Sequence, residues 1–106
     1  MKRVELYYFN GCPSWQPTLE NLKRALSAEG LPDAVDLVTV ESESDAQAMR
    51  FLGSPTIRID GADVEGPAAE ARGYSFGCRV YQDGDRSVGW PSVDQNRHAI
   101  QPGRQA

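Results

Sequence analysis

A chain of 106 residues with 40% hydrophobic and 25% charged positions has the composition of one ordinary globular domain, long enough to enclose a single core. Lysines and arginines number 11 against 15 aspartates and glutamates, a net charge of −4 with the signs interspersed, so no basic footprint for nucleic acid is present. Two cysteines cannot build the framework of a disulfide-rich secreted domain, no apolar run reaches the length of a membrane span, and Met1-Lys2-Arg3 leads straight into an apolar segment without a signal-peptide pattern. These features predict a soluble, cytoplasmic protein that engages neither nucleic acid nor membrane.

The first apolar run, Val4, Leu6, Tyr7, Tyr8 and Phe9, has the β-branched and aromatic bias of a strand buried on both faces. Asn10-Gly11 breaks it, and Pro13 suits the first turn of a helix, where its missing N–H costs nothing. Trp15, Leu19, Leu22 and Leu26 recur at helical spacing with Glu20, Lys23, Arg24 and Glu29 on the other side, and Gly30 is the expected stop. Ala34 to Val40 reads as a second strand. Ser42 or Ser44 then caps a helix carrying Ala46, Met49, Phe51 and Leu52, which Gly53 ends.

Thr56 to Ile59 reads as a third strand ended by the turn pair Asp60-Gly61, and Cys78 to Tyr81 as a fourth ended by Asp83-Gly84. Ser92 and Gln95 have capping-box spacing and open a last helix that runs to Ile100, before Pro102. The prediction is one domain over residues 1–100 with a flexible tail at 101–106. The order βαβαββα specifies an α/β fold: strands joined through a helix run parallel and the last two pair antiparallel. The result is a four-stranded mixed sheet flanked by three helices.

Cys12 is the candidate reactive atom. At a strand-to-helix junction its sulfur meets unpaired backbone N–H groups and the positive end of the helix dipole, which favour thiolate over thiol. The competing reading is a small buried hydrophobe, the common fate of a free cysteine.

Two segments, Tyr8-Phe9-Asn10-Gly11-Cys12-Pro13 after the first strand and Gly53-Ser54-Pro55-Thr56 before the third, make the chain from Lys2 to Ile100 resemble a thioredoxin-fold protein. The resemblance implies that Cys12 is catalytic and that Pro55 is cis and lies against it. It also implies that Ser54 offers its main-chain N–H and C=O to an extended partner chain, a strand-addition mode of recognition. Pro13, Ser14, Trp15 and Thr56 complete the implied docking surface.

Dithiol members of the fold carry a second cysteine three residues after the first, where this chain has Trp15, within Cys12-Pro13-Ser14-Trp15. Release of a mixed disulfide then needs another thiol, a small one such as glutathione or mycothiol or one elsewhere in a protein. Ser14 either tunes the thiolate or is simply a good residue for a first helical turn, and Trp15 either walls a substrate groove or packs. The chain is further similar to small bacterial thioredoxin-like proteins with a Ser-Cys-Arg-Val/Leu-Tyr strand, here Phe76-Gly77-Cys78-Arg79-Val80-Tyr81, some of them labelled as related to organomercurial lyases.

The expected function is thiol/disulfide exchange at Cys12, without a metal or a resident cofactor, and with a small thiol or a disulfide-bearing protein as partner. The alternatives are a non-enzymatic module that binds a soft metal ion or a protein, and organomercurial-type detoxification. Cys78 is the possible second thiol. If its strand runs antiparallel to the third, it starts at the end of the sheet opposite Pro55, a strand length of about 17 Å away, too far for a disulfide unless the preceding loop shifts the start of that strand. The plainer expectation is a buried strand thiol; the sharper one is that both thiols meet on Hg(II) or Cu(I).

The segment Gly61 to Gly77 is long for a hairpin connection and reads as a lid, with a helical turn after Pro67, or as an unstructured excursion. His98 sits in the last helix, where an exposed face or a favourable place near the helix C-terminus accounts for it. Asp60, Asp63 and Glu65 read as solvated loop acids, and Trp90 as a staple for the last helix.

Overall fold

All five side chains of the strand Val4–Tyr8 are buried, because it has a strand on either side and helices against its faces. In chain order the elements are β1 (Val4–Tyr8), α1 (Trp15–Ala28), β2 (Asp36–Thr39), α2 (Glu43–Ala48), β3 (Thr56–Ile59), β4 (Ala62–Asp63), α3 (Pro67–Glu70), β5 (Tyr81–Asp83), β6 (Arg86–Val88) and α4 (Val93–Ile100). The structure is a computed structural model that describes residues 3–101, so the Pro102 stop and residues 102–106 of the expected tail lie outside the described residues.

The main sheet has the order β2-β1-β3-β4. β1 pairs parallel with β2, through Tyr8↔Thr39, and antiparallel with β3, through Tyr7↔Thr56. Asp60 and Gly61 both hold positive φ, 52° and 85°, the two-residue turn that suits the twist of a hairpin, and it pairs Ile59 with Ala62. The domain is therefore α/β with a mixed four-stranded sheet.

Alternation along β1 divides the core. Val4 and Leu6 face Leu22, Ala25 and Leu26 of α1 and Ala99 and Ile100 of α4, together with Ile57 and Tyr81, whereas Tyr7 faces Val40, Ala46 and Phe51 on the α2 side. The two helices on the first face are tied by Arg97 to Glu29 at 2.8 Å and by the Asn21 amide to the Pro91 carbonyl at 3.2 Å. Ser92 and Gln95 form the capping box that their spacing predicts.

Three expectations need correction. The fourth strand of the sheet is β4, not Cys78 to Tyr81; that segment makes one isolated bridge and then enters a separate β5-β6 hairpin. Among the described residues there are four helical segments rather than three, the added one being the turn at Pro67. And α2 is not ended by Gly53. Arg50 takes the left-handed conformation (φ 57°), Phe51 N–H reaches back to the Ala46 carbonyl, and the Arg58 guanidinium donates to the carbonyls of Met49 and Arg50 at 2.7 and 2.8 Å.

Candidate functional site

Cys12 lies in the turn between β1 and α1, where its N–H donates to the Phe9 carbonyl at 3.1 Å. It is 4% exposed. α1 begins only at Trp15, with Ser14 as its N-cap residue, so Cys12 precedes the cap by two residues and Pro13 stands outside the first helical turn where its ring was expected. Pro13 is exposed. Ser14 makes no side-chain cap; its carbonyl accepts from the Thr18 hydroxyl at 2.7 Å, and its own hydroxyl abuts Gly89, where a Cβ would lie 2.8 Å away. Trp15 stacks on Tyr8, ring centroids 4.4 Å apart and planes 21° from parallel, and packs against the core.

The Ser54–Pro55 peptide is cis, as the resemblance implies. Ser54, Pro55 and Thr56 are all buried, and the register of β3 on β1 sets them at the same end of the sheet as the Cys12 turn. The docking edge expected at Ser54 is taken, however, by the chain itself. Ser54 N–H donates to the Gly77 carbonyl at 2.7 Å, and its carbonyl accepts from Arg79 N–H at 2.9 Å. These two bonds make a parallel bridge with Cys78. No main-chain group of Ser54 remains for a partner strand unless residues 77–79 move away. The Ser54 hydroxyl is buried without a hydrogen-bond partner.

The same bridge corrects the expectation for Cys78. It does not start a strand antiparallel to β3 at the far end of the sheet, and it is not buried: it is exposed and pairs with the residue next to Pro55. The approach is close because residue 53 is glycine. Gly53 has φ +112°, and a Cβ there would fall 2.9 Å from the Arg79 Cβ and 3.2 Å from the Gly77 carbonyl oxygen. Phe76 reaches across to Phe9, ring centroids 5.4 Å apart, and the two rings with Asn10, Gly11, Thr39 and Glu41 border a cleft of about 300 Å³.

What anchors residues 77–79 is Arg79, 6% exposed. Its guanidinium donates two bonds of 2.8 Å to Asp63 and one of 3.0 Å to Glu65, reaches the Thr56 hydroxyl at 3.3 Å, and lies 4.4 Å over the Tyr81 ring. Tyr81 in turn donates to the Pro55 carbonyl. Burial opposes the charge on Arg79, but the bonds it donates to Asp63 and the neighbouring groups outweigh it and hold the guanidinium pKa above its ordinary value. Burial pushes the Tyr81 phenol pKa well up, against the opposing charge of Arg79. Asp63 and Glu65 are therefore not solvated loop acids: Asp63 is 2% exposed and Glu65 half-buried, both on Arg79. The Gly61 to Gly77 segment is likewise not a free lid, since β4, α3 and the Ser75 N–H bond to the Phe51 carbonyl fasten it.

A scan of protein-family models matched none, and searches of curated proteins and of solved structures returned no significant match. His98 is exposed and borders a separate cleft of about 380 Å³ with Tyr81, Pro91 and Asp94, which includes neither cysteine. Trp90 is 38% exposed. Among the described residues no three His, Cys, Asp or Glu side chains gather as metal ligands, and no helix is long and apolar enough to cross a membrane. Gly53, Phe76 and Arg79 fall within the quoted motifs, but the sequence gives them no part in the site. The one signal for Arg79 is a charged residue inside the apolar run Cys78 to Tyr81.

Proposed function

We propose that this chain is a thioredoxin-like thiol–disulfide exchange protein in which Cys12 enters the reacting disulfide, with a small thiol or a disulfide-bearing protein as its exchange partner. The observation that carries the reading is the position of Cys12, directly after the central strand and at the end of the sheet where Ser54–Pro55 enters β3. The parallel β1/β2 pair joined through α1, the antiparallel β3/β4 pair and the proline ahead of β3 are the arrangement that such a protein needs. In exchange, a thiolate attacks one sulfur of a disulfide, forms the new S–S bond and expels the other sulfur as a thiolate, which takes up the proton.

The test is incubation of the native protein with oxidised glutathione, followed by alkylation of remaining thiols and peptide mass mapping. Cys12 is expected to be found in a disulfide. If Cys12 stays reduced in the native protein while the urea-denatured chain reacts, the reading is wrong. A second reading, a soft metal ion held between two thiolates, is supported by the arrival of Cys78 at this end of the sheet. Titration with Cd(II), followed by thiolate-to-metal absorbance, separates the two: a metal module binds one ion per chain and loses it when either cysteine is replaced by serine.

A further inference from the structure

Resting on that reading of Cys12, we propose that Cys12 and Cys78 form a redox pair in which the exposed Cys78 accepts the incoming disulfide and the buried Cys12 closes on it. Trp15 occupies the position of a neighbouring resolving thiol, so a second sulfur within this chain has to come from outside that turn. The fold delivers it. Residues 77–79 lie along Ser54 as a docked partner strand would, with Cys78 between the carbonyl of Gly77 and the N–H of Arg79 that grip Ser54 at 2.7 and 2.9 Å.

The two cysteine segments also touch directly. Cys12 turns back onto Phe9, and Phe9 meets Phe76, two residues before Cys78. A disulfide requires Cα atoms within about 7 Å, and both cysteines lie in segments outside the strands of the main sheet. Arg79, locked on Asp63, keeps the Cys78 segment registered on Ser54.

Exposure sets the order of attack, because an incoming disulfide has to reach the first sulfur in solution. Cys78 is exposed, whereas Cys12 is 4% exposed and suited to an attack from within. With oxidised glutathione as the oxidant, the Cys78 thiolate bonds to one glutathione sulfur and the other leaves as thiolate. Cys12 then attacks the Cys78 sulfur, the Cys12–Cys78 bond forms, and the second glutathione leaves. The two thiol protons pass to the two glutathione thiolates, the protein gives up two electrons, and one glutathione disulfide is reduced.

The experiment is a time course of native wild type, Cys12→Ser and Cys78→Ser with oxidised glutathione, quenched in acid and mapped by peptide mass, with circular dichroism to show that each variant is folded and Cys→Ala versions as replacements. The wild type is expected to end as the Cys12–Cys78 disulfide, Cys12→Ser to stop with glutathione on Cys78, and Cys78→Ser to lose the rapid oxidation of Cys12. Glutathione retained on Cys12 of the wild type, with Cys78 reduced, overturns the pairing and leaves the exchange reading standing. Oxidation of Cys12 in Cys78→Ser as fast as in wild type overturns the order of attack. Cys12 that remains reduced in every native sample overturns the exchange reading and this inference together.

Discussion

Arg79 grips Asp63 with two hydrogen bonds of 2.8 Å while both side chains are almost fully withdrawn from water, at 4% and 2% exposure. The pair joins β4 to the segment that carries Cys78, which makes a charged contact the fastening of the candidate site. A buried ion pair contributes little over a well-packed apolar pair, but loss of one partner strands a charge in the interior. Asp63→Ala should therefore cost about 3–5 kcal/mol in urea unfolding. Asp63→Leu combined with Arg79→Met should recover much of that loss, and a double variant no better than Asp63→Ala would show that the loss does not come from the stranded charge of Arg79.

Tyr81 gives the fold an alkaline limit. Its pKa is raised by burial, so the phenol stays neutral in the folded chain at pH values where it ionises in the unfolded chain. Below about pH 10 both states carry the proton and the group adds no pH dependence; above it the unfolded state binds fewer protons, and stability falls by about 1.4 kcal/mol per pH unit. Tyr81→Phe should remove that slope, at a fixed cost of about 1–3 kcal/mol for leaving the Pro55 carbonyl unpaired. Urea unfolding at pH 8, 10 and 11 measures both, and parallel stability curves for wild type and variant would contradict the assignment.

Gly53 is where backbone conformation and packing coincide. Alanine there meets a φ of +112° that L side chains avoid and a Cβ placed 2.9 Å from that of Arg79. Strain of this kind costs about 1–3 kcal/mol, and the clash pushes residues 77–79 off Ser54. Gly53→Ala should lower the urea midpoint. By native-state hydrogen exchange, it should also speed the exchange of the Ser54 and Arg79 amides more than that of Leu6 in β1. Equal acceleration at all three would mean global loosening instead of release of the strap.

The sequence shows some of these elements and hides others for a physical reason. β1, α1 and α4 carry long apolar patterns or a complete capping box, so each is visible in isolation. β4, β5 and β6 are two or three residues long, too short to display a period, and only the Asp60-Gly61 and Asp83-Gly84 turns hint that strands continue past them. Cys12 and Pro55 stand out because motifs surround them. The place of Cys78 does not, because its bridge to Ser54 depends on a long-range fit: glycine at 53, and an arginine at 79 whose acid partner lies 16 residues earlier. Gly53 is visible as a stop for α2, yet Arg50 takes that task and the glycine serves the close approach of Arg79.

Under the proposed exchange function, Trp15 either contacts the substrate or only packs. The indole stacks on Tyr8 at 4.4 Å and rests on the core, yet it remains half exposed at the start of α1, three residues after Cys12. Trp15→Phe keeps an aromatic face on Tyr8 and should cost about 1 kcal/mol, whereas Trp15→Ala, which also loses the stack, should cost about 2 kcal/mol or more. If the ring only packs, the rate at which oxidised glutathione oxidises the native protein stays at the wild-type value in Trp15→Phe. Packing is the expected outcome, because one face of the indole is already covered by Tyr8. A slowed reaction in a Trp15→Phe variant of undiminished stability would instead place the indole in the path of the incoming disulfide.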